Sequence, residues 1–571
     1  MNRGIWVVNR GVLQGVIHPT SRVYHAIVPK PARTSIRHFN HNLLFPGRVI
    51  NQALQGRWND AGDDSLRFLT NSTVGVGGFF DVASRWKMPR PEADFAQTFS
   101  RWGWKPGTFV MLPFLGPSDE THAAGLVFDQ AVEPWTYVED ARVIAYATTY
   151  NRLVESTEEA VRFVRSEADS YAGAKYAWSY LSREDDPDWS TYGPKDISTI
   201  QTLGVATFRT KNPDFIKFSR EMSARIPSTG KRLKFTYWLQ KKPAPLVYLA
   251  PGLGSNRLAT TNIVTAEYLY QKGFSVIATT SVFHPDFMEH ASTAALPAHP
   301  PTDSRDMLVA LTAIDRLMEK RHPGHFGQRA LIGFSMGAYQ ALYLSARESR
   351  ADADLLRFDR YIAINPPVNL HHGVECLDRF HAAPDAWPSA IRQERVDNAV
   401  HKAAKVIKLP PSALLDPPFD GVESKYLIGL NFRLTLRDVL YSTQKRRDMG
   451  VLSTPLSPWR RDEAYREMLG LSYKDYFEKF VLPYYKPQGI GMADFKRDGN
   501  LRNFGSQLRA QPKAYVLTNR NDFLLSPEDI SWLGGTFGKS RLTLFPCGGH
   551  LGNLNSAPMQ EAIYKALSGL H

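Results

Sequence analysis

The sequence has 571 residues, 43% apolar and 22% charged, a globular composition that excludes wholesale disorder. At roughly 150 residues per domain, a single hydrophobic core is also excluded. Lysine and arginine number 69 against 56 acidic residues, a net charge of +13. The basic residues are scattered, with only short clusters such as QKRRD at 444–448, and no nucleic-acid-binding motif accompanies them, so nucleic acid is not an expected partner. Cys376 and Cys547 are the only cysteines and stand far apart, which leaves no disulfide framework and no metal-ligand spacing. Neither a metal nor a cofactor is expected. No run of 18 apolar residues is present, so no ordinary spanning helix is expected. The opening MNRGIWVVNRGVLQG carries no apolar core leading to a small-residue cleavage site, and no signal peptide is read there.

The first 184 residues read as amphipathic helices of modest length, broken by glycine clusters and prolines, with Trp and Phe at the breaks. Examples are INQALQGRWNDAGDDSLRFLTNSTVGVGGFFDVASRW at 50–86 and DFAQTFSRWGWKPGTFVMLPFLGPS at 94–118. Two readings fit that pattern. Aromatics with an apolar body and a polar tip suit a membrane interface, and equally such rings form the core of a small soluble helical domain. The stretch REDDPDWSTYGPKDIST at 183–199 is rich in Asp, Pro and Gly, and a linker is expected over 185–213.

A different rhythm begins after it. PLVYLA at 245–250 runs into PGLGSN, and FSVIATT at 274–280 follows Lys272-Gly273, two apolar strands with a helix between them. From about 303 to 319 a helix places Met307, Leu311, Ile314 and Met318 on one stripe, and the strand RALIGF at 329–334 comes next. Strand and helix alternating in this way predict a parallel sheet with helices on both faces. The strand YIAIN at 361–365 is followed by some 120 residues without strand rhythm, expected as a helical cap over about 380–500.

The centre of this region reads Gly333-Phe334-Ser335-Met336-Gly337. A pattern Gly-x-Ser-x-Gly arises by chance about 0.2 times in a chain of this length, so its setting decides. Here the serine stands between a buried strand and a helix, where a sharp turn exposes its hydroxyl and only small residues fit two places to either side, hence Gly333 and Gly337. A serine nucleophile needs a base, and the base an orienting acid. AYVLT at 514–518 opens into a loop with Asp522, and RLTLF at 541–545 opens into PCGGHLGNL with His550. Both lie beyond the carboxyl ends of late strands, where sites on open α/β sheets form. Asp529 falls inside the next helix, and His284, His322 and His325 follow no terminal strand. Ser335, Asp522 and His550 are therefore the expected catalytic residues. Taken singly, Asp522 reads equally as a turn residue and His550 as a surface histidine. The oxyanion donors expected are the amides of Met336 and of Leu253 in PGLGS, which read otherwise as a plain glycine turn.

From about 214 to 571 these motifs and their order resemble the α/β-hydrolase fold. The first 184 residues resemble the MlaA/VacJ family of outer-membrane phospholipid-transport lipoproteins, through VPKPARTSIRHFNHNL at 28–43, NSTVGVGGFFDVAS at 71–84, FAQTFSRWGW at 95–104 and LPFLGPS at 112–118. That resemblance implies an all-α amphipathic ring lying in the periplasmic leaflet of the outer membrane around a polar channel, with phospholipid as ligand and a porin as possible partner. The family's signal peptide and acylated cysteine have no counterpart in this sequence. Where the family has Arg-Asp after LPFLGPS, this chain has Thr121-His122. The expected molecule joins intermembrane phospholipid transport to a Ser-His-Asp hydrolase of phospholipid or another acyl ester. A transporter with an inactive hydrolase-fold module, or a membrane-placed esterase for small soluble esters, are the alternatives.

Overall fold

The computed structural model describes residues 1–570 except 106, 138–141, 349–352, 407–408 and 410–415, so part of the expected cap lies outside the described residues. The chain forms two compact units, Met1–Asp186 and Pro187–His571.

The first unit is helical, with long helices at Trp58–Thr73 and Arg142–Ser166. It is not all-α. β1 (Phe109–Leu112) and β2 (Gly116–Asp119) form an antiparallel hairpin with Leu112 opposite Gly116. The apolar run FVML favours extended chain, and Phe114 (φ +64°) and Gly116 (φ +97°) reverse it. Asn2 and Asn9, seven apart on the helix Asn2–Val12, take the carbonyls of Phe109 and Leu112 at 2.9 and 2.8 Å and thereby tie the hairpin down.

The interior of this unit mixes apolar side chains such as Met111, Val154 and Val161 with buried ion pairs. Its interior holds Arg3 with Asp169 (2.7 Å), Arg48 with Asp64 (2.8 Å), Arg67 with Asp81 (2.9 Å), Asn51 and Gln52. Trp58 is 70% exposed and Trp86 and Trp102 60% each, with Phe114, Leu115 and Val127 also outside. Phe95 and Tyr171 are buried and several rings pack on one another, as Phe45 does on Phe68, while these three indoles lie outside. No helix among the described residues is long and apolar enough to cross a membrane.

The second unit is built on eight strands: β3 (Arg220–Arg225), β4 (Arg232–Trp238), β5 (Ala244–Ala250), β6 (Ser275–Ala278), β7 (Phe326–Phe334), β8 (Arg360–Ile364), β9 (Ala514–Asn519) and β10 (Leu542–Phe545). Their order is β10-β9-β8-β7-β5-β6-β4-β3. Every pairing from β10 to β6 is parallel, and only β4 with β6 and β3 with β4 run antiparallel. Both faces are covered, so the central strands are continuous apolar runs; Val247, Leu249, Ile332, Phe334, Ile362 and Ile364 share one core. The helix predicted from Met307, Leu311, Ile314 and Met318 spans Pro300–Arg321 and buries all four. Between β8 and β9 the chain is helical, and a bridge between Asn369 and Asn500 closes the insertion at its base.

The expected linker over 185–213 is a correction. From Pro187 onward it belongs to the second unit. The Asp188 N–H donates to Asn398 (2.9 Å), Lys402 Nζ donates to Ser190 O (2.5 Å), and the helix Ile197–Leu203 sets Thr199 against Ser424 (2.7 Å). Its polar residues are held by partners some two hundred residues away, which composition cannot reveal.

Candidate active site

β7 ends at Phe334 and a helix starts at Met336, so Ser335 alone makes the reversal, at φ +52° and ψ −117°. Such a conformation costs a non-glycine residue about 1–3 kcal/mol and persists only where the surroundings fix it. Here they do. A Cβ on Gly333 would lie 2.1 Å from Gly337 O, and one on Gly337 would lie 2.2 Å from Ala250 O, so strand, turn and helix approach as closely as backbone allows. The Ser335 N–H donates to Ile364 O on β8 at 3.0 Å.

The loop after β5 lies against this serine. A Cβ on Gly252 would stand 3.1 Å from Ser335 Cβ, which places Leu253 next to the residue that faces the nucleophile candidate. Gly254 has φ +68°, and a Cβ there would be 2.2 Å from Thr435 Cγ2. Thr435 stands on the long cap helix Gly421–Arg446, so the cap rests directly on this loop.

β9 and β10 deliver the other two groups. His550 Nδ1 lies 2.9 and 3.1 Å from the carboxylate oxygens of Asp522, and both side chains are buried. Asn365 Nδ2 donates to Asp522 Oδ2 (2.8 Å) and the Leu524 N–H to Oδ1 (3.0 Å), so three donors fix the plane of the carboxylate. A carboxylate only accepts, which assigns the proton of a neutral ring to Nδ1 and leaves Nε2 as the acceptor. His550 Nε2 is buried and has no hydrogen-bond partner. The structure thus brings Asp522 and His550 together; it does not hydrogen-bond His550 to Ser335. Continuity between them runs through β8, whose Ile364 holds the Ser335 amide and whose next residue, Asn365, holds Asp522.

The other titratable groups lie elsewhere. Asp529 caps the helix Pro527–Arg541 with Ser526 and pairs with Arg502 at 2.7 Å. His284 caps the helix Pro285–His290, and His325 Nε2 meets Gln240 O at 3.0 Å. A cavity of about 370 Å³ lined by His299, Arg347, Asp494 and Arg497 includes none of Ser335, Asp522 and His550.

Sequence reasoning missed Asn365, Gln201 and Thr202. Asn365 ends the strand YIAIN at φ +49°, and an asparagine at that strand terminus was a readable signal. Gln201 and Thr202 bond to the His550 loop from inside the presumed linker, and nothing local marks them.

Residues 1–185 match the model of the MlaA lipoprotein family. The chain is 31% identical over 133 residues to the Haemophilus influenzae intermembrane phospholipid transport system lipoprotein MlaA, covering 23% of this chain and 53% of that protein. Against the Escherichia coli protein of the same name it is 34% identical over 119 residues, 20% of this chain and 47% of that one. It therefore spans about half the length of these relatives. An esterase of Pyrococcus furiosus is similar at 12% identity and TM-score 0.33, over 66% of this chain and 97% of that one, a likeness too distant to add to the sheet order. That order, mostly parallel with Ser335 on the turn after β7 and helices inserted after β8, is that of the α/β-hydrolase fold. Residues 1–185 thus match the MlaA lipoprotein family model, and a second unit of α/β-hydrolase fold follows them.

Proposed function

We propose that this protein is a lipid-handling component of the outer membrane in which the first unit moves phospholipid and the second hydrolyses a carboxylic ester of lipid. In this reading Ser335 Oγ attacks the ester carbonyl while His550 Nε2 takes its proton. Asp522 holds the ring in the tautomer that can accept it. The amides of Leu253 and Met336 bind the oxyanion, the latter aided by the positive end of the helix it begins. His550 then returns the proton to the departing alcohol, and water repeats the sequence on the acyl-enzyme.

The observation that carries the reading is the Asp522–His550 pair with a buried ring nitrogen that has no partner, on the same sheet edge as a serine held at φ +52°. A hydrogen bond from serine to base that closes only with substrate is common in empty sites. The lipid half rests on the family match of residues 1–185 and on the exposed indoles of Trp58, Trp86 and Trp102 around an interior that holds buried ion pairs. Such a surface stays in contact with lipid rather than water. A porin at its rim, as in the family, belongs to the same proposal.

The test is covalent labelling. A fluorophosphonate probe is expected to modify the intact chain on the peptide carrying Ser335, and Ser335→Ala to remove the label. A folded chain that resists the probe at every concentration would instead make the second unit a docking module without activity.

A further inference from the structure

The loop that carries His550 is held at its carbonyl side by β9, where Asn519 Nδ2 donates to Gly549 O (2.7 Å), and at its amides by side chains from elsewhere. Residues 546–556 contain no strand or helix, and Gly548, Gly549 and Leu551 adopt φ of +144°, +57° and +66°. Three consecutive amides in it, those of Gly548, Gly549 and His550, each donate to a side chain outside the loop. The acceptors are Gln201 Oε1 (2.8 Å), Asn521 Oδ1 (3.0 Å) and Thr202 Oγ1 (2.8 Å). The same helix reaches the acid's loop: Gln201 Oε1 also accepts from Asn521 Nδ2 (2.9 Å), and Ser198 Oγ donates to Asn521 O (2.6 Å). The fit is close enough to exclude side chains. A Cβ on Gly549 would lie 2.3 Å from Ser198 O, and one on Gly552 2.0 Å from Gln201 O.

The helix Ile197–Leu203 is itself anchored on its other side. Thr199 meets Ser424, Asp196 pairs with Lys425 at 3.0 Å, and the Gly421 N–H donates to Pro194 O at 2.9 Å, all at the start of the cap helix. A base must keep its place to within tenths of an ångström; the loop's own backbone bonds, Leu554 N–H to Leu551 O (3.0 Å) and Ser556 N–H to Asn553 O (2.9 Å), lie after His550, and the amides of 548–550 are held from outside it.

We infer that Gln201 and Thr202 are positioning residues for His550, and that the helix Ile197–Leu203, on the stretch by which the chain leaves the first unit, clamps the base loop to the acid loop. The catalytic consequence rests on the hydrolase reading above; the clamp itself does not.

The test uses the full chain with Thr202→Val and Gln201→Leu, and the conservative Thr202→Ser and Gln201→Glu, which keep an acceptor oxygen. Hydrogen–deuterium exchange of peptides covering 546–554 is read beside kcat and KM on a p-nitrophenyl ester. The clamp predicts exchange at least about tenfold faster in 546–554 for Thr202→Val and Gln201→Leu, with peptides of β5, β7 and β8 unchanged. It predicts a kcat lower by about 10- to 100-fold at a KM within about twofold, and recovery of both in the conservative variants. Unchanged exchange in both variants, or faster exchange spread over the whole sheet, would overturn it. If the unmutated chain turns over no ester, the hydrolase reading fails, and the exchange measurement still decides the clamp.

Discussion

A serine hydroxyl becomes a nucleophile only when its proton has a destination, and in the proposed mechanism that destination is His550, oriented by Asp522. Asp522→Asn keeps the shape but turns one oxygen into a donor, which faces His550 Nδ1 and favours the wrong tautomer. A kcat lower by about a thousandfold or more is expected, with KM little changed. A loss under about tenfold would mean that Asp522 does not orient the base. A second buried carboxyl carries a pH signature. Burial pushes Asp303, enclosed at the start of the helix Pro300–Arg321, well above its usual 3.8, against the pull of the Ala298 N–H at 2.9 Å. Its folded-state pKa is raised, so the stabilisation is full below pH 3.8 and is lost as pH rises, because the unfolded chain ionises while the folded one holds its proton. Asp303→Asn is thus expected to match the parent in Tm near pH 4 and exceed it near pH 8. A constant difference across that range would refute the assignment.

At the scale of elements, the sequence made the sheet legible and the connection to it illegible. β5, β7, β8 and β9 are apolar runs ended by turn residues, and Ser335 with its glycines falls on a turn too tight for side chains. Those signals are local, as is the stripe of Met307, Leu311, Ile314 and Met318. The segment after Pro187 has no such signal: its order comes from Lys402, Asn398, Ser424 and Asn521, all distant in sequence. Periodicity failed for a related reason in the first unit, since it reports that a helix has two faces but not which of them meets water. Lys402 measures how firmly the segment is held. It is fully buried between Ser190 O and Glu423 Oε1 (2.8 Å). Burial pushes the Glu423 carboxyl up and the lysine draws it back, with burial the larger effect. Lys402→Met strands that carboxyl, and urea unfolding is expected to report a loss of about 3–5 kcal/mol, much of it recovered by also changing Glu423→Met. A loss below about 1 kcal/mol would mean that the segment is not held through this pair.

Across the whole molecule the two units differ in how much apolar surface they leave outside. The second keeps its apolar side chains in a continuous core around the sheet, while the first turns Trp58, Trp86 and Trp102 outward over an interior that holds ion pairs. In the proposed function that surface is the means of attachment to a lipid leaflet. Each buried apolar side chain contributes about 1.5 kcal/mol or more, so Trp58→Gln together with Trp86→Gln is expected to weaken binding to phospholipid vesicles by about 100-fold. Unchanged cosedimentation would remove the first unit from the membrane. Under the proposed function, covalent linkage raises the local concentration of whatever lipid the first unit supplies to the second.

The central claim, that this site cleaves lipid esters, is tested most directly by mass spectrometry of fatty acid released from phospholipid vesicles by the full chain and by Ser335→Ala. Release by the parent and none above background by the variant is the predicted result. Equal release by both, or none by a parent that binds the vesicles, would contradict it.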